Sequence, residues 1–300
     1  MRFAKGHGTE NDFVILRDPD GSGGLTADLT ARLCDRRAGI GADGVLRAVR
    51  TAACGIAGPA GAADEPEWFM DYRNADGSVA EMCGNGIRVF ARYLVRHRLA
   101  EGPEFTVATR SGPRRIRMGT DGEVTVDMGA VAVLGPGSAV IAGQAYPGLR
   151  VSVGNPHLAC LVDGPLSSFD LSRPPGLDPG QFPGGGNVEL VRVTGPASVA
   201  MRVHERGSGE TRSCGTGAVA AAVAAASGIG AVAAAAAASG TGDGTWAVRV
   251  PGGDLAVTLE AGRAWLTGPA VIVAEGELDP AWLAERAPVS DDHGDTAQGV

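Results

Sequence analysis

Two cysteines in this sequence are each followed by Gly-X-Gly, the first within Met82–Gly86, MCGNG, and the second at the end of Glu205–Gly217, ERGSGETRSCGTG. Glycines at these positions allow the backbone to approach a ligand closely. The following residues, Ile87–His97 and Ala218–Ala226, are predicted helices whose N-terminal N–H groups and positive dipole end would face the loop. Each loop can therefore hold a carboxylate, and the same field would stabilise a thiolate near neutral pH.

Two thiols on opposite sides of one carbon could invert a stereocentre without a redox cofactor. A thiolate would remove a proton from a carbon next to a carboxylate, and the opposite thiol would return a proton to the other face. An amino-acid Cα–H is a weak acid, so the developing charge needs stabilisation. N–H donors of Gly84–Asn85 and Gly215–Thr216 would supply it at the carboxylate. The sequence thus predicts Cys83 and Cys214 as an acid–base pair.

The other candidates for chemistry each have an ordinary structural explanation. Cys34, Cys54 and Cys160 lack a following Gly-X-Gly, and isolated cysteines usually pack in the core. His157 after Asn-Pro is typical of a turn, and Glu205 beside an arginine is typical of a surface ion pair. Their positions at the ends of apolar strands, near a cysteine in the repeated pattern, favour a function. An imidazole or carboxylate beside a thiol can take its proton.

The composition favours a folded protein that binds a small molecule. The 300 residues, of which 44% are hydrophobic, are enough for a buried core and favour two domains over one. The net charge of −8, without a basic cluster, argues against nucleic acid and an anionic membrane as partners. The N-terminus, MRFAKGHGTEND, has no apolar signal-peptide core, so we expect a cytoplasmic location.

The alanine-rich run Ala218–Ala238 is long enough to raise the question of a membrane span. It contains Ser227, Gly228 and Gly230 and lacks flanking charged or aromatic anchors, which is untypical of a span. We predict a core helix that ends near Ser227–Gly228 and then a low-complexity connection. The five cysteines are odd in number and widely spaced, so free thiols are expected in a cytoplasmic chain.

A similar order of elements occurs in each half of the chain. Predicted strands Arg2–Lys5 and Phe13–Leu16 flank one polar loop, and Leu149–Val153 and Leu158–Val162 flank another. Both halves then reach a cysteine loop and a helix. This repetition predicts two related domains that face each other across a cleft, where small-molecule sites preferentially form.

One glycine-rich turn is predicted not to bind a cofactor, and two other segments are predicted to lie outside the repeat. The turn Gly39–Gly44, GIGADG, lies between a helix and a strand, which is the wrong order for a dinucleotide site. Residues 51–67, rich in alanine, glycine and proline, are predicted to be a surface insertion. Residues 281–300, polar and acidic, are predicted to be a loose tail.

The motifs GHGTENDF, NADGS, MCGNG, GNPH, GGNVE and ERGSGETRSCGTG, in this order across roughly residues 1–275, closely resemble the diaminopimelate epimerase family. The resemblance implies an α+β (mixed α/β) fold of two pseudo-symmetric domains. Each domain would be a mixed or antiparallel sheet wrapped around a central helix, with the active site in the cleft between them. The expected domains are residues 1–127, with a returning segment 268–280, and residues 128–267.

The resemblance also implies an activity. Members of the family interconvert L,L- and meso-diaminopimelate on the route to lysine and peptidoglycan. They work without pyridoxal phosphate, so no cofactor and no metal is expected. The family is usually homodimeric.

Roles for single residues follow from the same resemblance. Cys83 and Cys214 would be the catalytic acid and base, assisted by His157 and Glu205. The reacting carboxylate would be held by Gly84, Asn85, Gly215 and Thr216, and the other polar groups of the substrate by Asn11, Asn74, Asn155, Asn187, Glu205 and Arg206. Amides and a guanidinium bind ammonium and carboxylate groups together and would reject substrates that lack the second amino-acid end.

Two positions depart from the family pattern. Many members have a glutamine that binds substrate after the aspartate of the GIG(F/A)D loop, where this chain has Gly44. That contact is therefore missing or comes from the backbone. A tyrosine that is common at the family's dimer contact corresponds to Trp265, which alters the predicted contact.

Two alternatives remain open on the sequence. A racemase of proline, hydroxyproline or another amino acid would use the same mechanism, although such enzymes more often have MCGHG than MCGNG. The asparagines and Arg206 favour a two-headed substrate instead. A thiol redox or metal-binding protein would use Cys83, Cys214 and His157, but such sites usually have tight spacing such as C-x-x-C, which is absent here.

Overall fold

The computed structural model describes residues 1–56, 66–228 and 243–284. Within these ranges, strands dominate, and they form two hydrogen-bonded sheets with few helices. The predicted mixed α+β fold is confirmed. In the described part of the chain no helix is long and apolar enough to cross a membrane.

The smaller sheet, counted over the described residues, has five strands: β1 Arg2–Gly8, β2 Asn11–Arg17, β3 Gly44–Arg50, β4 Trp68–Asn74 and β18 Val271–Glu277. Its order is β18-β1-β2-β3-β4. The pair β2 and β3 is parallel, and the other neighbours are antiparallel. Helix α1, Ala27–Cys34, connects the parallel pair, and the Thr26 hydroxyl caps it by accepting from the Leu29 N–H.

The larger sheet has thirteen described strands: β5 Glu104–Val107, β6 Arg114–Met118, β7 Glu123–Ala130, β8 Ala132–Ile141, β9 Gln144–Ser152, β10 Pro156–Leu161, β11 Gly176–Leu177, β12 Asn187–Gly195, β13 Ser198–Glu205, β14 Gly209–Thr211, β15 Gly244–Val250, β16 Gly253–Glu260 and β17 Arg263–Pro269. Its order is β11-β8-β9-β10-β12-β13-β15-β16-β17-β7-β6-β5, and β14 pairs with β13. The predicted domain boundary at residue 127 lies within β7, which pairs with β17. The division into residues 1–127 and 128–267 stays a prediction.

Two longer helices pack on the sheets, α2 Gly84–Arg96 and α3 Gly215–Ala226. Helix α2 contacts β1, β2 and β7, and α3 contacts β10, β12 and β13. Residues 215–224 of α3 are all buried, since their small side chains allow the strands to approach closely. Helix α3 ends at Ala226 and Ser227 caps it, near the predicted end. The predicted connection lies in residues 229–242, outside the described residues.

The two halves repeat one topology. In β18-β1-β2-β3-β4 and in β8-β9-β10-β12-β13, the third and fourth strands are parallel and the others antiparallel. Each set is followed by a cysteine and a helix, α2 or α3. The parallel pairs match Phe13 with Gly44 and His157 with Asn187. Gly44 and Asn187 therefore occupy equivalent positions in the repeat.

The predicted tail begins with a short helix, α4 Pro280–Ala284. The Trp282 indole N–H donates to the Ala38 carbonyl at 3.1 Å, and the Arg32 guanidinium lies 4.5 Å from the ring centroid. These contacts hold residues 280–284 against α1. Residues 57–65 of the predicted insertion and 285–300 of the predicted tail lie outside the described residues.

A buried carboxylate on β4 is surrounded by three arginines. Asp71 is 1% exposed and contacts the guanidiniums of Arg47, Arg73 and Arg110. Burial alone would raise the pKa of Asp71, but hydrogen bonding and charge from Arg110, with the charges of Arg73 and Arg47, hold it below its ordinary value. The cluster therefore stabilises the folded chain when the carboxyl is ionised.

We expect Asp71→Asn to lower the free energy of unfolding by about 2 kcal/mol at pH 7, measured from urea denaturation curves. Because the folded pKa lies below the unfolded value of about 3.9, the stabilisation is complete above pH ~4 and is lost as pH falls through the folded pKa. The difference from the wild type should therefore shrink in acid. Asp254→Asn, in an exposed pair with Arg249, should leave the midpoint unchanged. Equal effects of the two substitutions would contradict this account.

Candidate active site

Cys83 and Cys214 are the N-cap residues of α2 and α3, and their local geometry is nearly identical. Cys83 has φ −135° and ψ 122°, and Cys214 has φ −126° and ψ 118°. Each Sγ accepts from the N–H three residues later, Gly86 at 3.4 Å and Gly217 at 3.3 Å. Because a sulfur takes the place of the usual oxygen cap, both helices begin three residues earlier than predicted, at Gly84 and Gly215.

The first residues of the two helices touch. A Cβ added to Gly215 would lie 3.0 Å from Gly84 Cα and 2.9 Å from Leu266 Cδ2. A side chain at this contact would require both the Leu266 side chain and the Gly84 backbone to move, so glycine is favoured here. The paired Gly-X-Gly motifs thus bring two positive helix ends together at one place.

The two thiols face one cavity of about 820 Å³, within the range expected for a small-molecule site. The cavity is lined by twelve of the predicted site residues: Asn11, Asn74, Cys83, Gly84, Asn85, Asn155, Asn187, Glu205, Arg206, Cys214, Gly215 and Thr216. His157 is fully buried and is not part of the lining. The structure therefore brings together every predicted site residue except this histidine.

Amide side chains surround Cys83. Its thiol lies 3.6 Å from Asn11 Oδ1, as a donor to that oxygen. Asn85, which is fully buried, donates through Nδ2 to the same Asn11 oxygen at 3.2 Å and to the Ser213 carbonyl at 3.0 Å. Asn11 in turn donates to Asp43 Oδ2 at 2.7 Å. Asn85 therefore connects the two cysteine loops directly.

Oxygen-bearing side chains surround Cys214. Its Sγ lies 3.5 Å from the Thr216 hydroxyl. Glu205 accepts from the Thr211 hydroxyl, and its charge acts on the Cys214 thiol. Burial raises the pKa of Glu205 despite the hydrogen bond from Thr211, which makes it a stronger proton acceptor than an exposed glutamate.

His157 acts on the cavity through its neighbours. Its Nε2 lies 3.0 Å from Asn155 Oδ1, and its Nδ1 lies 2.7 Å from Glu189 Oε1. Asn155 then donates to the Thr216 hydroxyl at 3.4 Å. A chain of polar contacts thus runs from Glu189 to the Cys214 thiol.

Both members of the His157–Glu189 pair are fully buried, so their 2.7 Å contact is shielded from water.

Burial disfavours the thiolate form of both cysteines. Burial raises the pKa of Cys83 to about 11, and the Gly86 N–H only partly opposes it. Burial, then the charges of Glu205 and Glu189, raise the pKa of Cys214 well above its ordinary value. The expectation that the helix ends alone would give a thiolate near neutral pH is wrong here, because desolvation outweighs the helix field.

The cavity lining also carries charges of both signs. Its carboxylates are Glu10, Asp43, Asp76, Glu205 and Glu210, and its guanidiniums are Arg36, Arg206 and Arg212. Arg36 pairs with Asp43, and Arg212 pairs with Glu10. In the described part of the chain Arg206 forms no ion pair, and its Nη1 donates to the Gly184 carbonyl at 3.1 Å. A zwitterionic ligand would find partners for both of its charges here.

A sequence model of the family described as diaminopimelate epimerase matches residues 3–134 and 149–276. The chain belongs to this family. A diaminopimelate epimerase of Thermobifida fusca (strain YX) is 58% identical over 280 residues, which cover 93% of this chain and 98% of that relative. The diaminopimelate epimerase of Rhodococcus opacus (strain B4) is 52% identical over 295 residues, covering 94% and 98%.

Solved structures with low sequence identity share the fold. A hydroxyproline epimerase from Agrobacterium vitis superposes with a TM-score of 0.61 at 14% identity, over 94% of each chain. A phenazine biosynthesis protein of the PhzF family from Bacillus anthracis gives 0.59 at 17% identity, over 93% of this chain and 98% of the other. Both confirm the two-domain fold that the resemblance to diaminopimelate epimerases predicted.

Gly44, where many diaminopimelate epimerases have a glutamine, lies against Tyr72. A Cβ at Gly44 would be 2.8 Å from Tyr72 Cε2 and 2.5 Å from the Arg73 carbonyl. Tyr72 lines the cavity, and burial raises its pKa well above the ordinary value, with further increases from Cys83 and Glu205. The aromatic ring thus fills the space that a side chain at position 44 would need.

Sequence reasoning missed several lining or supporting residues, among them Tyr72, Ser213 and Glu189. Ser213 directly precedes Cys214 and accepts from Asn85 Nδ2 at 3.1 Å. Its place next to Cys214 in the sequence could have identified it as a site residue. Glu189 is in the quoted motif GGNVE, but only the strand pairing of β10 with β12 brings it to His157.

The remaining cysteines lie elsewhere. Cys34 and Cys160 are buried, as predicted. Cys54 is partly exposed, and its thiol lies 3.6 Å from the Ile56 carbonyl, so the prediction of core packing is wrong for this residue. Among the residues that the structure describes, no group of three His, Cys, Asp or Glu side chains is placed to hold a metal ion.

Proposed function

We propose that this chain interconverts L,L- and meso-diaminopimelate by moving protons between a substrate Cα and the thiols of Cys83 and Cys214. The observation that carries the proposal is the pair of cysteine caps on two touching helix ends that face one cavity. No cofactor takes part in the proposed reaction. Membership of the diaminopimelate epimerase family and 58% identity to a relative of that name support the substrate.

Substrate binding would generate the base. A thiol with a pKa near 11 is rarely ionised at neutral pH. The α-ammonium group of the substrate would bring a positive charge into the cavity, which favours loss of the Cys83 proton to water and formation of the thiolate. Cys83 would then take the proton from the L,L substrate, and Cys214 would give its proton to the opposite face. Glu205, whose charge acts on the Cys214 thiol and whose own pKa is raised by burial, would assist by exchanging a proton with it.

The touching helix ends would hold the reacting carboxylate. Backbone N–H groups at Gly84, Asn85, Gly215 and Thr216 point from the two N-termini toward the cavity as helix geometry requires. Negative charge would move onto the carboxylate as the Cα–H bond breaks, and these fixed donors would stabilise it. These four residues are themselves buried, which strengthens the effect because water screens the charges less.

The other polar side chains would bind the remaining substrate groups. Arg206, without an ion pair in the described ranges, would take the distal carboxylate, and Asn187 fixes the Arg206 backbone by accepting from its N–H at 2.9 Å. Asn11, Asn74, Asn155 and Glu205 would bind the ammonium groups and orient the chain between the two ends. His157 would assist through Asn155, whose oxygen it contacts at 3.0 Å.

Deuterium exchange tests the substrate. The protein should introduce deuterium at Cα of L,L-diaminopimelate in deuterated water while it converts the substrate to the meso form, measured by mass spectrometry and chiral chromatography. L-proline in the same buffer is the matched control and should gain no deuterium. Deuterium in proline but not in diaminopimelate would replace our proposal with the racemase alternative.

The cell biology and assembly are further proposals. A diaminopimelate epimerase supplies the meso isomer for lysine and peptidoglycan synthesis, so we propose a cytoplasmic enzyme. We also propose a homodimer, which sedimentation velocity would test. The Trp265 ring, expected at the contact, is 7% exposed and lies beneath the guanidiniums of Arg117 at 4.2 Å and Arg115 at 5.0 Å.

A further inference from the structure

The largest fully buried side chain in the described part of the chain is a cation, Arg88. It lies on α2, five residues after Cys83. Its guanidinium donates to the Gly84 carbonyl at 3.2 Å, the Thr9 hydroxyl at 3.4 Å and the Pro269 carbonyl at 3.4 Å. All three acceptors are neutral and none of the hydrogen bonds is short.

A buried charge without a counter-charge is costly. Among the described residues, no carboxylate forms an ion pair with Arg88, and the groups whose charges act on it are Cys83 and then Glu123. Burial lowers the pKa of Arg88 to about 10, so the guanidinium still carries its charge at neutral pH. Because the guanidinium donates to the carbonyl of Gly84, the residue that follows Cys83, a thiolate at Cys83 would supply a counter-charge at the same end of α2.

The repeated topology supplies an internal comparison. Val219 stands five residues after Cys214, where α2 has Arg88, and it is fully buried. The second helix therefore offers no cation to its cysteine. Cys214 instead faces two carboxylates, Glu205 and Glu189, which disfavour a negative sulfur.

The charged and titratable groups around Cys83 are different. They are Glu205 from the end of β13, Arg88 from α2 and the hydroxyl of Tyr72 from β4. Arg88 opposes part of the effect of Glu205 on Cys83, whereas Cys214 has two carboxylates and no cation, so the two sites that look alike in backbone geometry differ in charge. The N–H groups of Gly86 and Asn85 add to the stabilisation of a Cys83 thiolate.

We propose that Cys83 is the first of the two thiols to ionise, and that Arg88 is a positioning residue whose buried charge stabilises its thiolate. The proposal rests on the proposed function only in assigning Cys83 as the base toward the L,L substrate. It gives a physical reason for the order of proton transfer. A merely structural role, in which Arg88 ties Gly84 to two loops, would not move the ionisation of Cys83.

Alkylation of the unliganded full-length protein tests both parts. Peptide mass spectrometry measures the rate at which iodoacetamide modifies Cys83 and Cys214 at a series of pH values. The midpoints of the two pH profiles are then compared. A midpoint reports ionisation of the thiol and does not depend on how easily the reagent reaches it. In the wild type, the Cys83 midpoint should lie below that of Cys214. A lower midpoint for Cys214 overturns the first part without any substitution.

Arg88→Met removes the charge and should raise the Cys83 midpoint by about half a pH unit, while the Cys214 midpoint stays unchanged. Arg88→Lys should restore most of the shift. Val219→Met is the matched control at the equivalent position of α3 and should leave the Cys83 midpoint unchanged. Arg88→Gln keeps a hydrogen-bonding side chain and replaces Arg88→Met if that variant does not fold.

An unchanged Cys83 midpoint in a folded neutral variant would overturn the role of Arg88. Circular dichroism establishes which variants are folded. Alkylation needs no substrate, so its outcome is separate from that of the deuterium exchange experiment. If diaminopimelate proved not to be the substrate, the expected order of the Cys83 and Cys214 midpoints would be unchanged.

Discussion

Replacement of either site cysteine by alanine should lower kcat for epimerisation by about 10²–10⁴-fold, the usual contribution of one positioned acid or base. Both thiols are needed because inversion requires removal of a proton on one face and its delivery on the other. Each variant should still exchange protons on the face of the cysteine that remains. Cys214→Ala should thus introduce deuterium at Cα of L,L-diaminopimelate without inversion. Cys83→Ala should introduce deuterium at the D centre of the meso isomer, also without inversion.

Cys54→Ala is the matched control, because Cys54 is partly exposed and lies outside the cavity lining. It should retain the wild-type kcat. Inversion at the wild-type rate in either single variant would contradict the two-thiol mechanism. Loss of exchange at both centres in both variants would indicate disruption of the site instead of loss of one base.

Much of the site could be predicted from sequence because local chemistry determines it. A cysteine before Gly-X-Gly and a helix specifies a cap whatever surrounds it, and the structure has this cap at both Cys83 and Cys214. The predicted helix starts were too late because propensity disfavours glycine within a helix, whereas the sulfur cap satisfies the Gly86 and Gly217 N–H groups.

The electrostatics could not be predicted, because they depend on long-range packing. The sequence indicated a thiolate stabilised by a helix end, but burial raises the pKa of Cys83 to about 11. From the sequence alone, Arg88 is one of several polar residues in a predicted amphipathic helix. Only the fold places its side chain beneath the Thr9 loop and the Pro269 carbonyl with no exposed surface.

His157 is the clearest case of a residue whose importance was predicted but whose contacts were not. The motif GNPH suggested an imidazole near a thiol. The parallel pairing of β10 with β12 instead sets His157 beside Asn187 in register and aims its ring at Glu189. Strand register is a tertiary property, so no local pattern specified this partner.

Replacement of Gly215 by alanine should lower kcat by about 10²-fold with a smaller effect on stability, because the new methyl group would separate the two helix starts. The added Cβ would lie 3.0 Å from Gly84 Cα and 3.3 Å from Gly84 C, and backbone atoms cannot yield as a flexible side chain can. The helices carry the two cysteines as their caps, so any separation moves both sulfurs relative to the substrate carbon.

Gly195→Ala is the matched control, since its added Cβ would meet only Ser198 Cβ, at an ordinary 3.6 Å. Overpacking costs about 1–3 kcal/mol of stability, so kcat is measured well below the thermal midpoint of each variant, where both are folded. A folded Gly215→Ala variant with the wild-type kcat would show that the helix ends need not touch. The catalytic geometry would then depend on the side chains around each sulfur, and not on the contact between Gly84 and Gly215.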